Sequence, residues 1–440
     1  MKKVYFWHKC IECGSVLEPA MFFYTCPKCQ GLLLVERDEE WIDKHIGVGR
    51  QAQLFFDNIR FGIERDKYPN GSGVFMWLPL ILPGFPKESA ISLREGFTDL
   101  FEIPDWLKQK IGLKNLYLKM EGQLPSESFK DRGMSVAISE AVRLQKFYPK
   151  LKIRSVACAS TGDTSASAAI YSAYVKDRLK CLVFLPYEKT SSGQLFQAIA
   201  HGAIVLSIKH PAGFDGCMEL IQEYCARHPE IVLVNSKNDF RIVGQETIAL
   251  EICQDLHWKA PDWIAVPCGN GGNLTALLIS LLRMKERKMI NFLPGIIVAQ
   301  TKGANTLVRW AKSGFKDYNP GSFKDSIASA MNIQNPVSFP RIKELRKKFR
   351  IEFFDATESD IQETRDLFMG AGANICPQTA VALDAVLEAR NGGIVKENDS
   401  VIVIGTASGI KFSELGTKRP VIIKGAIEDI EKAVKFYIND

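Results

Sequence analysis

Trp263-Ile264-Ala265-Val266-Pro267-Cys268-Gly269-Asn270-Gly271-Gly272-Asn273 sets an apolar run against a glycine-rich turn, and a helical run from Leu274 to Met284 follows. The order reads as a buried strand, a tight turn at its carboxyl end, and a helix that returns over the sheet. Such a turn aims converging backbone N–H groups and the positive end of a helix dipole at one point, which suits a phosphate dianion. A flexible strand-to-helix loop would carry the same composition. The turn departs from the G-x-G-x-x-G pattern with an acidic residue at the next strand end, which disfavours a nucleotide cofactor.

Outward from this unit the same alternation recurs. Short β-branched runs at Ser155 to Cys158, Cys181 to Leu185, Ile204 to Ile208, Ile231 to Val234, Gly295 to Ala299 and Val401 to Ile404 are separated by helical stretches with apolar spacing of three and four. The pattern predicts an α/β architecture with mostly parallel sheets. Parallel sheets place ligands at the carboxyl ends of their strands. Three donor-rich turns fall at those ends, at Ser160 to Thr164, Gly269 to Asn273 and Gly405 to Gly409. Residues 36 to 114, broken by Pro69, Pro79, Pro83, Pro86 and Pro104, read as a segment wrapped around the α/β body. No internal repeat or low-complexity tract is visible.

With 440 residues and 46% hydrophobic content the chain is long enough for two or three domains with large cores. The 56 basic residues exceed the 50 acidic ones only mildly, and no block of like charges suggests a nucleic-acid partner. No apolar stretch reaches the roughly eighteen residues of a membrane helix, and the N-terminus lacks a signal-peptide core, so the expected location is cytoplasmic. Seven of the eleven cysteines, Cys158, Cys181, Cys217, Cys225, Cys253, Cys268 and Cys376, are scattered and read as small buried hydrophobes in a reducing compartment. The other four, Cys10, Cys13, Cys26 and Cys29, form two Cys-x2-Cys turns twelve residues apart. Two such turns supply the four soft ligands of a tetrahedral structural zinc site. A ribbon of reduced thiols held by packing alone is the alternative.

Lys130 lies in Ser128-Phe129-Lys130-Asp131-Arg132-Gly133. A lysine gains chemistry by forming a Schiff base with a carbonyl, and the aldehyde of pyridoxal phosphate is its commonest partner. An exposed helix start would read the same way. Some thirty residues on, Thr161-Gly162-Asp163-Thr164-Ser165 follows Ser160. Its N–H groups and hydroxyls can grip a carboxylate while Asp163 addresses a neighbouring hydroxyl, although a plain helix N-cap is also consistent. With Gly269 to Asn273 and Gly405-Thr406-Ala407-Ser408-Gly409, these turns read as one cofactor site.

Taken together, Ser128 to Met134, Ala159 to Ala166 and the Gly269 to Asn273 loop resemble the fold-type II pyridoxal-phosphate enzymes, and among them the threonine synthases most closely. The likeness runs along almost the whole chain, through Ser92-Leu93-Arg94-Glu95-Gly96, Val234-Asn235-Ser236, Gly244-Gln245-Glu246-Thr247 and Ile375-Cys376-Pro377-Gln378-Thr379. Some members share the cysteine ribbon. The resemblance implies an α/β protein of two parallel-sheet domains with an N-terminal zinc-ribbon-like segment. The corresponding division is residues 1–35 as the ribbon, 36–145 with 235–440 as a large pyridoxal-phosphate-binding domain, and 146–234 as a small α/β domain.

The resemblance also implies roles. Lys130 would hold the cofactor as a Schiff base and then move protons at Cα and Cβ, and Phe129 would shield the site. Asp163 would approach the 3-hydroxyl of the pyridine ring, Gly269, Asn270, Gly271, Gly272 and Asn273 would hold the cofactor phosphate, and Thr406 would face the ring nitrogen. A small phosphorylated amino acid would bind Ser160, Thr161, Thr164, Asn235, Ser236 and Arg241, the last offering a guanidinium fork for phosphate oxygens. The implied reaction converts O-phosphohomoserine and water to threonine and phosphate, in an enzyme that is commonly a homodimer.

Five positions depart from the family's text. Ser126-Glu127 stand where Thr-Gly is usual, Ser408 stands for a histidine, and Arg94 and Asp99 replace a glycine and a proline. Glu127 is expected to alter the turn or repel an anionic substrate. The rival readings are a paralogue acting on another phosphorylated amino acid, such as O-phosphoserine with sulfite in the manner of cysteate synthase, or a variant adapted to substrate analogues. A dehydratase or ammonia-lyase of the same fold, and a non-catalytic regulator, complete the set.

Overall fold

The computed structural model describes residues 3–62, 71–160, 162–187, 192–211, 213–321 and 324–415, with four helical positions beyond them at 427, 430, 432 and 434. Thr161 falls outside the described residues.

Strands β1 (Phe6–Cys10), β2 (Val16–Leu17) and β3 (Leu33–Arg37) form a small antiparallel sheet in the order β2-β1-β3, with Cys10 opposite Leu33. The remaining strands are β4 (Leu100–Glu102), β5 (Asn115–Met120), β6 (Ser155–Ala159), β7 (Lys180–Pro186), β8 (Ile204–Ile208), β9 (Ile231–Leu233), β10 (Trp263–Pro267), β11 (Gly295–Thr301), β12 (Ile351–Ala356) and β13 (Ser400–Gly405). Six of them build a large sheet in the order β12-β11-β10-β13-β5-β4, and four build a smaller one in the order β8-β7-β6-β9. All neighbours in both are parallel except β4 and β5.

Each of the seven apolar runs forms a strand. β4, β5 and β12 were not expected, and the reason is visible in β5. Its alternation is interrupted by Lys119, which is fully buried and pairs with Glu251 at 3.1 Å and Asp255 at 2.9 Å. A buried charge that is paired fits a central strand as well as an apolar residue, but only its distant partners reveal it.

Period-two alternation sorts the large sheet's side chains into two cores. Ile264, Val266, Ile296, Val298, Ile402 and Ile404 face Leu274, Leu277 and Leu281 of the helix Gly272–Glu286. Ala265, Ile297, Ala299, Val401 and Val403 face Val381, Leu383 and Val386 of the helix Pro377–Asn391. The segment of residues 36 to 114 covers the first face with Ile42, Phe56, Ile59 and Trp77, and it also lends β4 to the sheet edge.

The helix Lys130–Phe147 runs between the two sheets. Its Met134, Ala137, Ile138 and Ala141 pack with Val156, Cys158 and Val183 of the smaller sheet, while Val136 joins the core of the larger one. Arg132 anchors its first turn, with Nε 2.6 Å from Glu121 and Nη2 2.8 Å from Glu251, all three side chains fully buried.

Candidate active site

The Lys130 turn is stitched to the loop that leaves β13. Phe129 donates its N–H to the Thr406 carbonyl at 2.9 Å, Ser408 donates to the Glu127 carbonyl at 3.1 Å, and Ser128 and Ala407 form an antiparallel bridge between them. Lys130 opens its helix with Nζ 4.0 Å from the centre of the Phe129 ring. Burial in the cleft, with the Arg241 cation adding to it and Asp163 opposing, brings the Lys130 amine down to about 7. An amine at that value has a large neutral fraction near physiological pH, which a nucleophile and proton carrier requires.

Facing Lys130 is the turn that ends β10. A Cβ on Gly269 would lie 2.7 Å from the Ala330 carbonyl oxygen, so only glycine allows the chain to pass there. Gly271 takes φ +76°, the left-handed region, and a Cβ on it would meet Ile342 Cδ1 at 2.5 Å. The Asn270 carbonyl accepts the Ser338 N–H at 3.0 Å, which ties the turn to its neighbour. The helix Gly272–Glu286 starts without a side-chain cap, leaving its first N–H groups for another acceptor. Asn273 is buried with neither amide atom partnered.

The other wall carries charge. Asp163 begins the helix Asp163–Tyr174, and its Oδ1 lies 2.7 Å from Lys411 Nζ. Arg241 stands on the helix Asp239–Gln245, where Nη1 donates to the Val234 carbonyl at 3.0 Å and Nε has no partner. Burial lowers the Arg241 guanidinium to about 10. Gln378, near the start of the helix Pro377–Asn391, leaves both ends of its buried amide unpartnered.

These groups bound one cleft of about 760 Å³, open water at its mouth included. It brings together Phe129, Lys130, Asp163, Gly269 to Asn273, Thr406, Ser236 and Arg241. Ser160, Thr164 and Asn235 are not among its lining residues. Asn235 is committed elsewhere, accepting the Ala159 N–H at 2.9 Å and donating to the Ala159 carbonyl at 2.8 Å, which joins the ends of β9 and β6. Ser160 Oγ accepts the Gly162 N–H at 3.1 Å within its own turn. Gln245 and Gln378 line the cleft and were missed. Gln245 could have been found, since it lies one helical turn beyond Arg241 on the same face. Ala330 and Met331 come from a short turn with no motif to mark them.

The departures at Glu127 and Ser408 are a correction. Both were expected inside the site, and neither is among the residues that line the cleft. Glu127 holds φ +60° and Arg94 φ +65°, so both keep the left-handed backbone for which glycine is the usual residue. Ser408 uses its hydroxyl to accept from Asn374 Nδ2 at 3.1 Å and from the Ile410 N–H at 3.3 Å, which braces the loop.

At the N-terminus the sulfurs of Cys10, Cys13, Cys26 and Cys29 all lie within 4.8 Å of one another. Cys10 and Cys29 are 3.4 Å apart and Cys13 and Cys26 3.7 Å. A tetrahedron of thiolates around zinc has an edge of about 3.8 Å, so the cluster has suitable dimensions.

A family model described as pyridoxal-phosphate dependent enzyme matches residues 91–407. The chain belongs to that family. It is 40% identical over 353 residues to threonine synthase 2, chloroplastic, of Arabidopsis thaliana, covering 80% of this chain and 67% of that one. It is 32% identical over 430 residues to the threonine synthase of Methanosarcina acetivorans, covering 97% of this chain and 98% of the relative. Among solved structures, the threonine synthase of Escherichia coli superposes with TM-score 0.65 at 20% identity over 97% of this chain and 94% of that one. A pyridoxal 5'-phosphate-dependent aspartate racemase superposes with TM-score 0.60 at 22% identity, over 73% of this chain and 93% of the other. At those identities the structures establish the fold, which is fold-type II. The chain is therefore a pyridoxal-phosphate-dependent enzyme. Among the described residues no helix is long and apolar enough to cross a membrane.

Proposed function

We propose that the chain is a threonine synthase, converting O-phosphohomoserine and water to threonine and phosphate. The observation that carries the reading is a pair of anion sites in one cleft. One is the glycine turn with its uncapped helix, and the other is Arg241, buried with an unpartnered Nε. One site suits the phosphate of the cofactor, and the second suits a phosphate that belongs to the substrate. The identity to threonine synthases over nearly the whole chain agrees with this.

The residues present fit pyridoxal phosphate. Lys130 would hold its carbonyl carbon, the turn Gly269 to Asn273 its phosphate, Asp163 would address the ring hydroxyl and Thr406 the ring nitrogen. When bound, the cofactor supplies an electron sink for charge that develops at Cα and Cβ. The chain supplies the rest. Lys130, depressed to about 7 and so able both to take and to give a proton near that pH, removes the Cα proton and manages the proton at Cβ. Arg241 balances the charge of the γ-phosphate as it leaves, and Ser236 beside it offers a further donor. Phe129 screens the lysine from bulk water until water adds at Cβ. Thr406 would offer the ring nitrogen a neutral hydroxyl in place of a carboxylate, which would leave that nitrogen largely unprotonated and favour elimination and replacement over transamination.

Phosphate release decides the substrate. We expect turnover of O-phosphohomoserine with threonine as product, and none of O-phosphoserine with sulfite; the reverse pattern would make the chain a paralogue. Glu127 and Ser408, the two departures that pointed to such a paralogue, are not among the residues lining the cleft. The proposal includes a structural zinc ion on the four cysteines, checked by metal analysis. About one zinc per wild-type chain and much less in Cys10→Ser is expected, whereas no zinc in either leaves a ribbon held by packing. A homodimer in the cytoplasm is the remaining part of the proposal, and light scattering of the purified protein tests the former.

A further inference from the structure

Lys411 is a buried cation at the back of the site. Its Nζ donates to the Ser126 carbonyl at 2.8 Å and lies 2.7 Å from Asp163 Oδ1. Ser126 is itself fixed, because Asp131 accepts its N–H and its hydroxyl, each at 2.6 Å, and also accepts the Ser167 hydroxyl at 2.5 Å. The lysine is therefore anchored from the Lys130 turn and reaches across to the first residue of the helix Asp163–Tyr174. Asp163 Oδ1 is buried in the cleft wall and makes no aligned hydrogen bond, so the contact with Lys411 is an ion pair that leaves the oxygen able to accept another donor.

The arrangement answers a problem of charge. On the function proposed above, Asp163 faces the hydroxyl of the cofactor ring. A carboxylate beside an ionisable hydroxyl in a buried site opposes loss of the hydroxyl proton, since two anions would then lie side by side. A neutral amide at that position raises no such conflict. We propose that Lys411 is a positioning residue for Asp163, and that its cation is what lets a carboxylate stand opposite the cofactor's ring hydroxyl. It holds the carboxylate in place and neutralises it. The inference rests on the pyridoxal-phosphate reading of the cleft and adds a residue to it.

The test is a double-substitution cycle read by absorbance and by cofactor affinity. Lys411→Met should weaken pyridoxal phosphate binding by roughly tenfold or more, as expected when one partner of a buried ion pair is removed. The same variant should move absorbance of the bound cofactor from the visible band towards the near-ultraviolet, because an uncompensated Asp163 retains the proton on the ring hydroxyl. Adding Asp163→Asn to Lys411→Met should restore most of the visible band and of the affinity, since a neutral amide needs no cation behind it. A lysine that merely braced the Ser126 carbonyl would give a defect that Asp163→Asn does not relieve, and that result overturns the proposal. So does a Lys411→Met protein with unchanged spectrum and affinity. Should Lys411→Met alone prove insoluble, Lys411→Arg and the double variant carry the same comparison, with Arg expected to keep the band. Wild-type protein that takes up no pyridoxal phosphate would instead refute the reading of the cleft.

Discussion

The two walls of the cleft hold their ligands by different means. The wall built on the large sheet offers neutral groups: the backbone of the turn Gly269 to Asn273 and the hydroxyl of Thr406 on the loop that leaves β13. The wall built on the smaller sheet and the helix Asp239–Gln245 offers formal charge on side chains, Asp163 and Arg241. Backbone donors are fixed in space and do not titrate, which suits a group that stays bound through turnover. A buried guanidinium with a spare donor suits an anion that arrives with substrate and leaves as product. Lys130 sits on the turn that joins the walls, so it answers to both.

The most severe test of that division is Lys130→Ala, which should lower activity by roughly a thousandfold or more and abolish the visible absorbance of the bound cofactor. A pH prediction accompanies it. Burial, aided by Arg241, depresses the Lys130 amine to about 7, and only the neutral amine attacks an aldehyde. Cofactor uptake by the apoenzyme should therefore rise with pH through a midpoint of about 7 and level off a unit or so above it. Uptake that kept rising beyond pH 9 or so would mean an ordinary lysine with an ordinary value near 10.4.

Arg241→Ala sharpens the comparison from the charged side. The substrate KM should rise by about a hundredfold, the loss expected when a charge-assisted contact to phosphate is removed, while the cofactor's visible band persists. Arg241→Lys should recover part of the loss, as a point charge replaces a fork. Because the Arg241 cation helps to depress the Lys130 amine, Arg241→Ala should also move the midpoint of cofactor uptake to higher pH. Loss of the cofactor rather than of substrate affinity would erase the distinction between the walls.

Much of the backbone wall was legible in the sequence, because a glycine-rich turn after an apolar run is a local signal that needs no partner to be read. The charged wall was legible only in part. Arg241 and Asp163 carried motif signals, but Asn235 looks like a ligand in sequence and is spent on the Ala159 backbone. Gln378 looks like an ordinary first-turn residue and lines the cleft. What separates them is where a chain distant in sequence happens to pass, and the same is true of β5, whose Lys119 is explained only by Glu251 and Asp255. Motifs report the residue types a chemistry needs; whether the polar atoms are already satisfied is a tertiary fact.

Glu127 gives the smallest expected effect, and it tests the joint between the walls. Its φ of +60° places a side chain where glycine is favoured, and its backbone carbonyl accepts from Ser408 to hold the Lys130 turn against the Thr406 loop. A left-handed conformation costs a non-glycine residue about 1–2 kcal/mol. Glycine removes that strain, yet it loses roughly 0.5–1 kcal/mol through the greater freedom of its unfolded chain. The two terms leave Glu127→Gly more stable by about 0.5 kcal/mol, measurable as a higher denaturant midpoint with an unchanged slope. Since the carboxylate does not line the cleft, KM for the phosphorylated substrate should change by less than about twofold, the scale of a screened surface charge. A large fall in KM would mean that the carboxylate reaches the substrate after all, and that the turn joining the two walls contributes charge as well as shape.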